Sequence, residues 1–346
     1  MSNVERFGVF LPSYVWAGDG SERARGIKAF AREVEALGFD SLFITDHLFA
    51  ARRFYSVSFL EPLTALAVAA GATERVRLGT SILIMPLRNP VLLAKELATL
   101  QFLSEERVIL GAGVGWNDVE YAAVAVKKSE RGKRTDEMLD IMIPLLEGET
   151  VTYHGQFYSI DDVVIEPKAS RRPEIWIGGG SQLADPKSPD LPRFVEAVKA
   201  RTMRTDGWIP RPTCPPDDIA RDWAELQAYY REHGRDPGEC FVAHENFVHV
   251  VLTNDPVKAR EEQHRAFLEV MSSERGEHYL ESVYLFGTPD EIVASLQARV
   301  DAGVEYFMLH TMTPDPAQLR TWVDEIIPNI AFPATVGPVR RQLALR

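Results

Sequence analysis

The stretch Val76-Arg77-Leu78-Gly79-Thr80-Ser81-Ile82-Leu83-Ile84 decides the fold. It is a near-continuous apolar run, interrupted by Arg77, one glycine and two hydroxyl side chains, and a helical segment opening at Pro90 follows it. Strands of a parallel sheet are buried on both faces, so they read as unbroken Val/Ile/Leu/Phe runs rather than alternating ones. The same form, an apolar run ending in a polar cluster and then an amphipathic helix, recurs at 7–12, 39–44, 107–113, 174–180 and 304–310. Strands alternating with helices imply βαβ units and a parallel sheet. In such folds the chemistry sits at the carboxyl ends of the strands, so the polar clusters mark the candidate site.

Counted outward from that stretch, strands are expected at 7–11, 41–45, 76–84, 107–112, 175–178, 207–209, within 240–252 and at 304–309. Helices are expected at 21–37, with Gly38 as a left-handed stop, and at 60–73, 90–103, 133–147, 193–204, from Pro256, at 289–303 and at 316–327. This predicts an α/β protein, a (β/α)8 TIM barrel forming a single domain over 1–346. No Gly-x-Gly-x-x-Gly follows the first strand, which disfavours a doubly wound sheet. Two insertions are expected at the carboxyl face. Residues 150–159 alternate around a central His-Gly and read as a hairpin outside the barrel. Residues 182–216, rich in Pro, Asp and Arg, read either as a lid at the site mouth or as a surface excursion.

Composition narrows the partners. The chain has 346 residues, a net charge of −12 and 45% hydrophobic residues, which suits a globular protein with a large core and disfavours nucleic acid and anionic membranes. Cys214 and Cys240 have no ligand-like spacing, so neither a disulfide framework nor a zinc site is expected. No secretory signal opens the chain and no apolar run approaches a membrane span, so the expected location is the cytoplasm. His244 and His249 lie an odd distance apart in one strand and face opposite sides; no metal site is expected. A Gly-x-Ser-x-Gly elbow is absent, leaving serine hydrolysis unsupported.

Each strand end offers specific chemistry. Thr45-Asp46-His47 places an Asp-His pair where it can hydrogen-bond a cofactor ring or move a proton, so Asp46 and His47 are the catalytic candidates. Gly79 within a strand suggests the close approach of a flat ligand, with Thr80 and Ser81 as hydroxyl donors; simple packing is the alternative. The run Gly111-Ala112-Gly113-Val114-Gly115-Trp116-Asn117 strips side chains from a strand end, and Asn117 adds an amide. Gly178, Gly179, Gly180 and Ser181 expose backbone amides and a hydroxyl, the makings of a phosphate cradle. Arg52 and Arg53, just past His47, could meet an anionic tail or simply be solvated.

Taken in order, these segments resemble the luciferase-like flavin-dependent oxidoreductases. The resemblance runs over about 5–330 and is carried by Leu37-Gly38-Phe39-Asp40, Thr45-Asp46-His47, Leu78-Gly79-Thr80-Ser81, Arg88-Asn89-Pro90, the glycine run to Asn117, Ile175-Trp176-Ile177-Gly178-Gly179, Asp206-Gly207-Trp208 and Phe286-Gly287-Thr288-Pro289. It implies a flavin or deazaflavin ring in the barrel mouth, supported by a non-prolyl cis peptide at Ser81–Ile82. Asp46 and His47 would lie near the reactive ring face, with Asp46 orienting His47. Gly79, Thr80, Ser81, Gly113 and Asn117 would hold the ring, and Gly178, Gly179, Gly180 and Ser181 the phosphate. The implied function is a monooxygenase that takes reduced FMN from a separate flavin reductase and oxygenates a small organic substrate with O2 through a flavin C4a peroxide. Tyr14, Trp16, Phe49, Phe54 and Trp116 would favour an apolar or aromatic substrate. The alternative is hydride transfer with coenzyme F420, the remote alternative a non-catalytic flavin-binding protein. Deazaflavin-dependent sugar-phosphate dehydrogenases carry a glutamate as proton donor in the fourth strand-end motif; 111–117 has no carboxylate, although Glu120 follows. A homodimer or higher oligomer is a further family expectation.

Overall fold

The fold is taken from a computed structural model that describes residues 3–15, 20–50, 54–181, 194–272 and 276–333. Eight parallel strands close a barrel: β1 (Phe7–Phe10), β3 (Ser41–Ile44), β5 (Arg77–Ile84), β6 (Val108–Gly113), β9 (Glu174–Gly178), β10 (Gly207–Ile209), β11 (Phe241–Val248) and β12 (Tyr306–Thr311). The order around the barrel is β1-β12-β11-β10-β9-β6-β5-β3, with β1 pairing both β12 and β3. The predicted (β/α)8 architecture is therefore the observed one, each strand falling within a residue or two of its expected place.

Two layers of apolar packing result. Inside the barrel, Phe10, Phe43, Ile109, Trp176, Phe241, Tyr306 and Met308 stack in the interior. Outside it, the alternate residues of the strands meet the buried faces of the helices, as with Leu42, Leu78 and Leu110 against Leu66, Leu97 and Met142. The helices are α1 (Gly20–Ala36), α2 (Pro62–Ala70), α3 (Pro90–Leu103), α4 (Asp118–Ala123), α5 (Arg131–Leu146), α6 (Glu196–Thr202), α7 (Pro216–Glu232), α8 (Pro256–Leu268), α9 (Glu277–Val283), α10 (Pro289–Asp301) and α11 (Ala317–Thr321).

Local chemistry fixes the rim where strands hand over to helices. Four helices open on an acceptor side chain followed by proline: Glu61-Pro62, Asn89-Pro90, Asp255-Pro256 and Thr288-Pro289. Proline at the first helical position loses no intrahelical hydrogen bond, and each capping side chain contributes about 1 kcal/mol. Thr288 and Glu291 complete a reciprocal capping box.

Several elements went unforeseen. β2 (Tyr14–Val15) and β4 (Ser58–Phe59) form a small antiparallel ribbon beside the mouth. α4, α7 and α9 were not expected, and the second strand of the outer hairpin runs past 159: β7 is Val151–His154 and β8 is Ser159–Val163. Within the expected 182–216 insertion, 182–193 lie outside the described residues. The remainder holds α6 and β10, so that part belongs to the barrel frame rather than to a loop. Arg52, Arg53 and Trp16 also lie outside the described residues.

Candidate active site

The carboxyl ends of the strands surround a cavity of about 320 Å³, lined by His47, Tyr55, Ser81, Ile82, Val114, Trp116, Gly178, Gly179, Ile209, Arg211 and Glu245 among others. A larger cleft of about 630 Å³ lies outside the barrel between α2 and α3. Its lining is drawn mainly from helix side chains such as Leu63, Ala67 and Leu100, so the strand-end chemistry belongs to the smaller cavity.

Ile82 forms the cavity's platform. The Ser81–Ile82 peptide is cis, as the resemblance implied, and the β5–β6 register shifts between Thr80 and Leu83. Two glycines leave room for the Ile82 side chain. A Cβ on Gly113 would come within 1.9 Å of its Cδ1, and one on Gly178 within 2.9 Å. Both positions read as bare for a ligand's sake, yet what they accommodate directly is Ile82, which then presents an apolar surface to the cavity.

His47 lines the cavity and is nearly buried. Its Nδ1 lies 3.1 Å from Oε1 of Glu120, which is 1% exposed and also accepts the Leu48 N–H at 2.7 Å. With Nδ1 committed to Glu120, Nε2 is the nitrogen left for a ligand. Aromatic rings enclose the imidazole, with centroids at 5.6 Å (Tyr55), 5.5 Å (Phe59) and 5.7 Å (Trp116). Phe54 packs edge-on against Trp116.

Asp46 does not orient His47. Its Oδ2 accepts the Ile84 N–H at 2.8 Å and Arg88 Nη1 at 2.6 Å, and its Oδ1 accepts Arg88 Nη2 at 3.1 Å. A buried carboxylate needs donors close by, and Arg88 supplies a bidentate pair that the neighbouring imidazole cannot. Burial opposes the Arg88 charge, but Asp46 and Glu61 together outweigh it and raise the guanidinium pKa. Asp46 thus ties β5's end to the loop after β3, and Glu120 takes the role expected of it. Glu120 was visible in the sequence only as a nearby carboxylate; α4 folding back over β3 brings it in.

Other candidates divide in the same way. Ser81 lines the cavity and donates from Oγ to Glu245 Oε2 at 2.7 Å. Gly79 serves packing: a Cβ there would meet the Phe43 ring at 2.3 Å. Thr80 is buried and donates to the Gly111 carbonyl at 2.9 Å. Asn117 caps α4, accepting the Val119 N–H at 3.2 Å. None of these three lines the cavity.

The glycine cradle is also partly committed elsewhere. The Gly179 N–H bonds the Ile209 carbonyl at 3.0 Å. The Ser181 N–H and Oγ both donate to Asp222, at 2.8 and 2.6 Å, because that carboxylate from α7 is itself buried. Arg221 Nη2 stands 3.2 Å from Ser181 Oγ. Beside Gly179 in the cavity wall, Arg211 keeps a buried Nε with no hydrogen-bond partner among the described residues. An unmatched guanidinium atom at the cavity wall, an apolar platform and two left-handed glycines (φ of 139° at Gly179 and 157° at Gly180) together fit a flat cofactor with an anionic tail. Among the described residues no cluster of metal-ligating side chains was found.

Residues 5–280 match the luciferase-like monooxygenase family. An F420-dependent glucose-6-phosphate dehydrogenase of Intrasporangium calvum is 28% identical over 318 residues, covering 86% of this chain and 92% of that protein. Among solved structures, the monooxygenase RslO1 of Streptomyces bottropensis superimposes with a TM-score of 0.74 at 21% identity, covering 94% of this chain and all of that one. An F420-dependent secondary alcohol dehydrogenase, solved with an F420–acetone adduct, gives 0.73 at 20% identity, covering 94% of this chain and 99% of that chain. These two likenesses establish the shared barrel. With the family match spanning most of the chain and the platform, the cis peptide and the strand-end cavity in place, the chain belongs to the luciferase-like monooxygenase family.

Proposed function

We propose that this protein is a flavin-dependent monooxygenase that binds reduced FMN delivered by a separate reductase and oxygenates a small apolar substrate. The observation that carries the reading is His47, tied to the buried Glu120 and enclosed by Tyr55, Phe59 and Trp116 beside the Ile82 platform. When bound, the flavin supplies the activation of dioxygen; the protein's task is to bind, orient and exclude water.

Ile82 would support one face of the ring, and Ser81 and Gly178 would border it. Arg211, with Arg221 behind it, would meet the phosphate in place of the Ser181 donors that Asp222 occupies. Glu120 holds the His47 ring by Nδ1, so proton transfer at the reacting centre would run through Nε2. The aromatic enclosure keeps water from that nitrogen and favours an apolar or aromatic substrate. The apolar side chains that α3 leaves exposed, Leu92, Phe102 and Leu103, would suit the homodimer expected of the family.

A second reading has its own support. The Intrasporangium dehydrogenase covers most of this chain, which favours F420 and hydride transfer. Anaerobic titration with reduced FMN and with reduced F420, followed by a pulse of dioxygen, separates the two. Tight reduced-FMN binding and oxygen-dependent substrate conversion support the monooxygenase. Preference for F420 with no oxygen requirement would replace that reading with the dehydrogenase.

A further inference from the structure

Behind the platform runs a second histidine–carboxylate pair that shares no residue with His47 and Glu120. Ser81 on β5 donates to Glu245 Oε2 at 2.7 Å; Glu245 Oε1 lies 2.9 Å from His310 Nε2; His310 Nδ1 lies 3.2 Å from the Tyr14 hydroxyl. β5 and β11 stand four strands apart in the eight-stranded order, so the Ser81–Glu245 bond spans the full width of the barrel mouth. His310 is clamped between Phe10 and Phe247, both stacked on it, at centroid separations of 3.3 and 3.9 Å. Every member of the chain is buried, and Glu245 and Ser81 also line the cavity.

The bonding pattern has a direction. A carboxylate at 245 requires Nε2 of His310 to carry the proton, which leaves Nδ1 as an acceptor for Tyr14. Burial, reinforced by Glu245 and Tyr284, keeps the Tyr14 hydroxyl protonated far above the usual range. Burial also lowers the basicity of His310 against the opposing pull of Glu245, so the ring stays neutral. Ser81 and His310 each occupy one acceptor position on the carboxylate, which has roughly four in all. Others remain for a donor inside the cavity.

We propose that Glu245 is a fixed acceptor for an N–H on the edge of the ring bound in this cavity, held in place by Ser81, His310 and Tyr14 as positioning residues. This deepens the flavin reading above and rests on it. Glu245 is bonded to Ser81, the residue joined to the Ile82 platform, so a flat ligand lying on Ile82 brings an edge toward the carboxylate. FMN and F420 share the relevant chemistry: each ring carries an imide N–H.

The test is a chemical double-mutant cycle. Oxidised FMN and its N3-methyl analogue are titrated into the wild type and Glu245→Ala, with F420 as a parallel ligand. A hydrogen bond to a charged acceptor predicts that methylation weakens wild-type binding about tenfold or more. In Glu245→Ala, where there is no acceptor and more room, the penalty shrinks to about threefold or less. An equal penalty in both proteins overturns the assignment. Should neither FMN nor F420 bind the wild type, the flavin reading and this inference fall together; binding with no difference in penalty removes the inference alone. If Glu245→Ala does not fold, Glu245→Gln replaces it, with a smaller but still reduced penalty expected. Nitrogen-15 NMR of labelled histidine gives a ligand-free check. His310 is expected as the neutral Nε2–H tautomer, and Tyr14→Phe is expected to shift its Nδ1 signal. An Nδ1–H tautomer in the wild type would contradict the chain as drawn.

Discussion

Two polar clusters occupy opposite ends of the same barrel, and they differ in what they leave over. At the amino end, Arg77 donates from Nε to Asp40 at 3.0 Å and from Nη1 to Glu174 at 2.8 Å. Tyr306 donates to the same Asp40 at 2.7 Å and also pairs with Ser41. Burial alone would lower the Arg77 pKa, yet Asp40 and Glu174 raise it well above the usual value. A cavity of about 180 Å³ touches this cluster at Asp40, but Arg77 and Glu174 do not line it, and the cluster's charges answer one another. At the carboxyl end, His47 keeps Nε2, Arg211 keeps Nε, and Glu245 keeps acceptor capacity, all on one cavity. The difference teaches that a satisfied buried network holds a fold, whereas surplus donors and acceptors around a hollow await a ligand.

The largest expected effect breaks the amino-end cluster. Arg77→Met removes the cation that pairs the buried Asp40 and the half-buried Glu174, and should cost roughly 3–5 kcal/mol in denaturant unfolding. Cofactor affinity of the folded protein should not change; a shift in that affinity would blur the distinction between the two ends. Next, His47→Ala should lower turnover about a hundredfold or more, because it removes the proton-transfer group, with a smaller loss of melting temperature as the buried Glu120 keeps only the Leu48 N–H. Turnover within a factor of a few of wild type would refute its role. Arg211→Ala should weaken FMN or F420 binding about tenfold, read by titration, without loss of stability, since its buried Nε makes no bond that folding depends on. A destabilised but normally binding variant would assign Arg211 to the frame instead.

The smallest effect comes from an exception at the amino end. Burial pushes the Glu305 carboxyl up from 4.5 to about 7, with Arg6 only partly opposing it. The folded state therefore holds this proton more tightly than the unfolded chain. Its contribution is fully present below about pH 4.5 and is lost as pH rises through about 7. Thermal melts of the wild type should show this decline, and Glu305→Gln should flatten it across that window. An unchanged slope would show that the group is solvated.

Much of the frame was legible because burial on both faces forces long apolar runs, and because an acceptor side chain before proline announces a helix start. His47 stood out at a strand end for the same reason, whereas the cis Ser81–Ile82 peptide was implied only by the family resemblance. What stayed hidden depends on pairings across long sequence distances. Glu120 meets His47 only once α4 folds back, 73 residues further along the chain. Ser181 loses its donors to Asp222, 41 residues away. Glu245 and His310 sit inside apolar strands where alternation places them toward the interior, but nothing local distinguishes them from packing residues. At Gly79 the sequence left ligand contact and packing open, and the Phe43 ring that fills the space decides for packing.

Hydrogen exchange with and without saturating FMN or F420 tests the contrast between the two ends most directly. The account predicts added protection at 45–48, 81–84, 209–213 and around Glu245, with 39–42, 76–78 and 304–307 unchanged. Protection confined to the outer cleft between α2 and α3, or spread equally over both ends of the barrel, would contradict it.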